Sequence, residues 1–214
     1  MHRFTFYCSA VALLALSSTA HASTFRFDTD PFAGTNVLTT PGRQIVAGED
    51  FINFSIPTDT FSLESTVFGV GSTVNFVNAT SANLPAGGAN VIVLQTFDDD
   101  ANALTPFGAG NAANLIASQI TTSGPGFFVY FNQALDLPRL VFSTDLSDNT
   151  ADLKILARML NLNGQDGRNA IPTFTAANFA ITSAVPEPSS FFMILPLGIA
   201  GACCYILRRK RVHP

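Results

Sequence analysis

The chain has 214 residues and a formal net charge of −4; hydrophobic residues make up 47% of it, charged residues 12%, and 20 residues are phenylalanine. So little charge beside so much apolar material excludes disorder by charge excess and requires a buried core. Between Ser23 and Ala184, fourteen acids face six bases (Arg26, Arg43, Arg139, Lys154, Arg158, Arg168), which makes nucleic acid and other polyanions poor partners for that stretch.

The N-terminus has the layout of a secretory signal peptide. His2 and Arg3 form a short basic start, Phe4 to Leu16 is apolar, and Ala20-His21-Ala22 fits the small-x-small pattern that signal peptidase cuts, here before Ser23. Export by the general secretory route follows. Cys8 lies inside the apolar run rather than just after it, which argues against a lipoprotein.

Residues 23–184 are of a size that makes one domain the default. All three cysteines (Cys8, Cys203, Cys204) and all three histidines (His2, His21, His213) fall outside this stretch. A mature body so composed has no disulfide, no thiol nucleophile, no Ser-His-Asp triad and no His-ligated zinc. Carboxylate chemistry is the main catalytic option left to it.

Taken in order, Phe25–Phe27, Phe51–Ile56, Phe61–Val70 and Thr73–Val77 read as strands, cut by turn residues such as Pro41-Gly42, Gly48, Pro57, Gly71 and Pro85-Ala86-Gly87-Gly88. Val91-Ile92-Val93-Leu94 is a continuous apolar run of strand length, expected to be covered on both faces. Asn111 to Ile120 is the best helix, with Asn111 as its cap. Phe127–Phe131 and Leu137–Thr144 read as a hairpin whose phenylalanines Phe127, Phe128 and Phe131 belong to the core. Ala151 to Leu160 alternates as a strand does and is read as one, although Asn149 with Asp152 could open a helix; the Asn163-Gly164 and Asp166-Gly167 region reads as a loop and Phe174 to Ile181 as the last strand. The expected fold is mainly β, a single sandwich-like domain with one short helix, preceded by a signal peptide at 1–22 and followed by a transmembrane sorting helix within 185–214.

That final segment can be read physically. Val185-Pro186-Glu187-Pro188 is followed by an apolar run from Phe191 to Leu207 without a charge, at the short end of the about 17–25 residues that span a bilayer. Arg208, Arg209, Lys210 and Arg211 come next, a basic cluster that stays cytoplasmic and so orients the body outward. Motif, span and cluster in this order resemble the PEP-CTERM tail, which exosortases process in Gram-negative, exopolysaccharide-making bacteria. The resemblance covers about the last thirty residues and implies that Pro186, Glu187 and Pro188 are the recognition element. It also implies that the protein is held briefly in the inner membrane before an exosortase-type enzyme passes it to the cell surface or matrix. The stretch from Val91 to Met159, notably Gly124 to Asn132 and Asp152 to Arg158, is similar to the bodies of PEP-CTERM proteins, a likeness that assigns no activity.

Two further chemistries are open. Asp98, Asp100 and Asn102 place oxygen ligands at alternate positions, as a loop that collects Ca²⁺ does, although an EF-hand would need Gly at Ala103 and Glu at Ala109. A solvated acidic turn explains the same residues. Glu49, Asp50 and Glu64 are the carboxylates available for glycoside hydrolysis, with no Trp and only Tyr130 and Phe in the body to serve as sugar platforms. The main expectation is a secreted structural or adhesive protein of the surface or exopolysaccharide matrix, neither an enzyme nor a cofactor carrier. A calcium- or carbohydrate-binding module and a carboxylate glycoside hydrolase are the alternatives.

Overall fold

Short β-branched and aromatic runs between Gly and Pro turns become strands that are hidden from water on one or both faces. The computed structural model describes residues 21–102 and 104–183. Within them the chain passes through β1 (Thr24–Phe27), β2 (Ile45–Val46), β3 (Asp50–Ile52), β4 (Thr60–Glu64) and a single turn of helix, α1 (Ser65–Phe68). It continues through β5 (Phe76–Ala79), β6 (Val91–Leu94), α2 (Ala109–Ala117), β7 (Gly126–Asn132), β8 (Leu137–Ser143), β9 (Leu153–Met159), α3 (Gly164–Ala170) and β10 (Phe179–Thr182).

The strands form two sheets. The smaller has the order β1-β4-β10, with both outer strands parallel to β4. The larger runs β2-β9-β8-β7-β6-β5, and β3 pairs with β9 beyond β2, so that two short strands share one edge. Its centre, β7-β8-β9, is antiparallel, and its flanks are parallel. Parallel neighbours need a long crossover, and between β6 and β7 that connection carries α2.

Two apolar layers follow from this arrangement. Phe61, Leu63 and Phe179 of the small sheet meet Val93, Phe127, Val129 and Phe142 of the large one in a core between the sheets. Phe54 stacks on Phe61 there, with ring centroids 4.2 Å apart. On the other face of the large sheet, Ile92, Phe128, Tyr130, Val141 and Ile155 pack against Ala109, Ala112, Ala113 and Ile116 of α2. The large sheet is therefore covered on both sides, and all four residues of β6 have 0% exposure. Burying each such side chain contributes about 1.5–3 kcal/mol. Phe127, Phe128 and Phe131 are fully buried, as their alternation in a covered hairpin requires.

The protein is mainly β, with two sheets and few helices, but the described residues hold three α-helices where one was expected in the body. Gly164–Ala170, read as a loop, is α3. Its sequence is a poor helix former, and tertiary contacts hold it: the Arg168 guanidinium lies 5.0 Å from the Phe131 ring centroid and 5.5 Å from that of Phe97, and Arg168 pairs with Asp136. The strand read through Phe61–Val70 stops at Glu64, where α1 turns the chain and Gly69, at φ +65°, closes it in a left-handed conformation. α2 starts two residues before Asn111. Asn111 sits inside the first turn, where its Oδ1 accepts from the Gly108 N–H at 3.2 Å. β3 ends at Ile52 because the Asn161 side chain takes over the pairing, accepting from the Phe54 N–H and donating to the Phe54 carbonyl. Two further strands begin later than expected, β5 at Phe76 rather than Thr73 and β10 at Phe179 rather than Phe174.

Candidate functional site

The acidic loop after β6 is the first place to test. Carboxylate oxygens of Asp98, Asp99 and Asp100 lie within 4.8 Å of one another. The loop uses these oxygens itself. Asp98 Oδ1 accepts from the backbone N–H of Asp100 and Ala101, Asp99 Oδ2 accepts from Asn111 Nδ2, and Asp100 accepts from the Asn102 N–H and the Thr105 hydroxyl. The Thr105 hydroxyl, then the Asn102 N–H, lower the Asp100 carboxyl from its ordinary value. Asn102 Oδ1 accepts from the Leu104 N–H at 3.1 Å. The expected ligand set is thus a run of Asx turns on an exposed loop, with its carboxylates close enough together to face a shared cation.

The carboxylates weighed for hydrolysis occupy three different surroundings. Glu49 leads into β3, and its side chain has 4% exposure. Its Oε1 accepts from Arg139 of β8, at 2.5 Å, and from Arg158 of β9, which β-sheet register places opposite one another. Burial opposes its charge. Hydrogen bonds from its own and the Gly48 N–H and from Arg158, together with the charge of Arg139, outweigh that and hold the carboxyl down at about 2. Tyr130 lies next to Arg139 across β7 and β8, and burial raises its hydroxyl above the ordinary value. Asn132 Nδ2 donates to that hydroxyl at 3.0 Å, and Phe51 covers Arg158 from outside at 5.2 Å. The result is a polar seam crossing the α2 side of the sheet.

Asp50 follows Glu49 in extended chain and points the other way. It lines a cleft of about 210 Å³ with Phe27, Asp30, Phe68, Lys154 and Leu156. Glu64 ends β4 in the small sheet with 3% exposure, and it accepts from the Thr66 and Thr182 hydroxyls at 3.2 and 3.4 Å. Neither glutamate lines the Asp50 cleft.

Compared with protein-family models, curated proteins and solved structures, the chain matches none. Its chemistry is read from its own residues. Of the processing elements, Ala22 and Ser23 are described and exposed, whereas Ala20, the motif Pro186, Glu187 and Pro188, the run from Phe191 to Leu207 and the basic cluster Arg208, Arg209, Lys210 and Arg211 lie outside the described residues. Among the described residues no helix is long and apolar enough to cross a membrane.

One residue was not singled out in the sequence. Asp59, in the turn before β4, is 4% exposed; its Oδ2 accepts from the Ser55 N–H at 2.8 Å, and its Oδ1 from the Thr58 hydroxyl at 3.2 Å and the Ser23 N–H at 2.8 Å. The Asn178 side chain ties the Asp59 and Ile56 carbonyls to the far end of the chain. Ser23 and Asn178 lie 36 and 119 residues from Asp59, so no local motif marks its contacts with the two ends of the body.

Proposed function

We propose that the chain is the precursor of an exported bacterial surface or exopolysaccharide-matrix protein, sorted by an exosortase-type enzyme through its C-terminal segment, with a structural or adhesive body. The observation that carries this reading is the order of Pro186-Glu187-Pro188, the charge-free run from Phe191 to Leu207 and Arg208 to Arg211. Support also comes from the body. Glu49 and Glu64 are engaged in internal contacts, Glu49 with two arginines and Glu64 with two threonines. Both strands that lead to the signals, β1 and β10, lie at the edges of the small sheet. A signal on either end attaches without threading the core. In cells of the source organism, Pro186→Ala and Pro188→Ala each leave uncleaved precursor in the inner membrane; normal processing of both variants refutes the sorting reading.

The second reading is a calcium-binding module, favoured by the proximity of the Asp98, Asp99 and Asp100 oxygens. It predicts a higher melting midpoint in millimolar Ca²⁺, lost in Asp98→Asn/Asp100→Asn. An unchanged midpoint removes it.

A further inference from the structure

We infer that Asp59 is the docking site for the α-ammonium group that removal of the signal peptide creates on Ser23, so that processing completes a half-buried ion pair and locks β1 into the small sheet. The inference rests on the cleavage reading of Ala20-His21-Ala22, and the geometry then carries it further. Asp59 has 4% exposure, and among the described residues no lysine or arginine forms an ion pair with it. Among the described residues its carboxylate oxygens accept from neutral donors, and a buried carboxylate without a counter-charge is costly to the fold. One of those donors is the backbone nitrogen of Ser23, at 2.8 Å.

Cleavage changes what that nitrogen is. Signal peptidase adds water across the Ala22–Ser23 amide: the C–N bond breaks, the Ala22 carbonyl carbon takes the oxygen as a carboxylate that departs with the signal, and the Ser23 nitrogen becomes a protonated amine. The group facing Asp59 turns from a neutral N–H into a cation with three donors. Ser23 is exposed, so the donors that do not face Asp59 meet water. The nitrogen is already positioned, because the Thr60 N–H donates to the Ser23 carbonyl at 3.0 Å and Thr24 pairs with Thr60 at the start of β4. The carboxylate already makes this hydrogen bond charge-assisted, and a positive donor adds the Coulomb attraction of an ion pair to it. Asp59 also fixes the turn before the central strand of the small sheet, through the Ser55 N–H and the Asn178 side chain. The charge therefore tightens β4 as well as β1, and the precursor lacks this support until it has been exported and cut.

The test uses the full chain, exported with its own signal, and a variant with one alanine inserted between Ala22 and Ser23, each also made with Asp59→Asn. Intact-mass analysis first establishes where each mature chain starts. In the Asp59 background the extra residue lowers the melting midpoint by roughly 3–8 °C, and in the Asp59→Asn background the two chains melt together. Because Asp59→Asn also weakens the Ser55 turn, a second measurement needs only the Asp59 chains. The Ser23 amine reacts about ten-fold more slowly with an acylating reagent at neutral pH than the amine of the extended chain, because the adjacent carboxylate holds it protonated. A start at Ser23 with equal midpoints and equal acylation rates overturns the pairing alone. In the chain without the insertion, a start at any residue other than Ser23 overturns both the cleavage reading and the pairing built on it.

Discussion

Glu49 shows how one residue type serves different ends according to what the fold places beside it. Two arginines on adjacent strands converge on it, and together with backbone N–H groups they hold its carboxyl at about 2. The ordinary value for a glutamate is near ~4.3, so the stability it lends is complete above about pH 5 and is lost as the pH falls through the folded value. Glu49→Gln leaves two half-buried arginines without their counter-charge and costs about 3 kcal/mol at neutral pH. Thermal unfolding from pH 7 to 2 is expected to show the gap between wild type and variant narrowing below about pH 4.5; a gap independent of pH would assign the stability to packing instead. None of this was visible in the sequence, because Arg139 and Arg158 stand 90 and 109 residues from Glu49. Asp98 to Asn102 was visible as an oxygen-rich run, but spacing alone could not tell that the loop's own N–H groups take up much of its acceptor capacity.

At the level of elements, legibility followed how local each determinant is. Val91–Leu94 was readable as a strand covered on both faces because an uninterrupted apolar run has no polar side to give to water. The β7–β8 hairpin was readable because its turn lies between two aromatic and aliphatic runs. α3 was not, since what makes Gly164–Ala170 helical is the stacking of Arg168 on Phe97 and Phe131 and the close seat of Gly167, where an added Cβ would meet the Leu162 carbonyl carbon at 2.8 Å. A similar seat lies at the start of β7. A Cβ on Gly126 would meet the Asn90 carbonyl oxygen at 2.8 Å and Leu146 Cγ at 3.0 Å, just where the Phe127 N–H donates to Asn90. Gly126→Ala is expected to destabilise the protein by about 1–3 kcal/mol by forcing β7 away from β6. Gly71→Ala, with nothing within 4 Å of the new Cβ, is the control expected to leave the denaturation midpoint nearly unchanged. Equal effects of the two substitutions would contradict the packing assigned to β7.

Across the whole molecule, two sheets and one covering helix give a body whose largest sheet is hidden on both faces and whose terminal strands lie at the edges of the smaller sheet. Its mainly β character was legible from turn spacing and phenylalanine content. The parallel pairing of β1, β4 and β10 was not, because it joins residues 36 and 118 positions apart and leaves no periodic trace. We propose of the two ends that the body is exported, cut before Ser23 and released from a tail that begins at the Pro186-Glu187-Pro188 motif. Intact-mass spectrometry of the protein recovered from the envelope and matrix of the source cells tests it most directly. The account predicts a chain running from Ser23 to near Pro186. A mass that still includes Arg208 to Pro214 would contradict it and make the tail a permanent anchor.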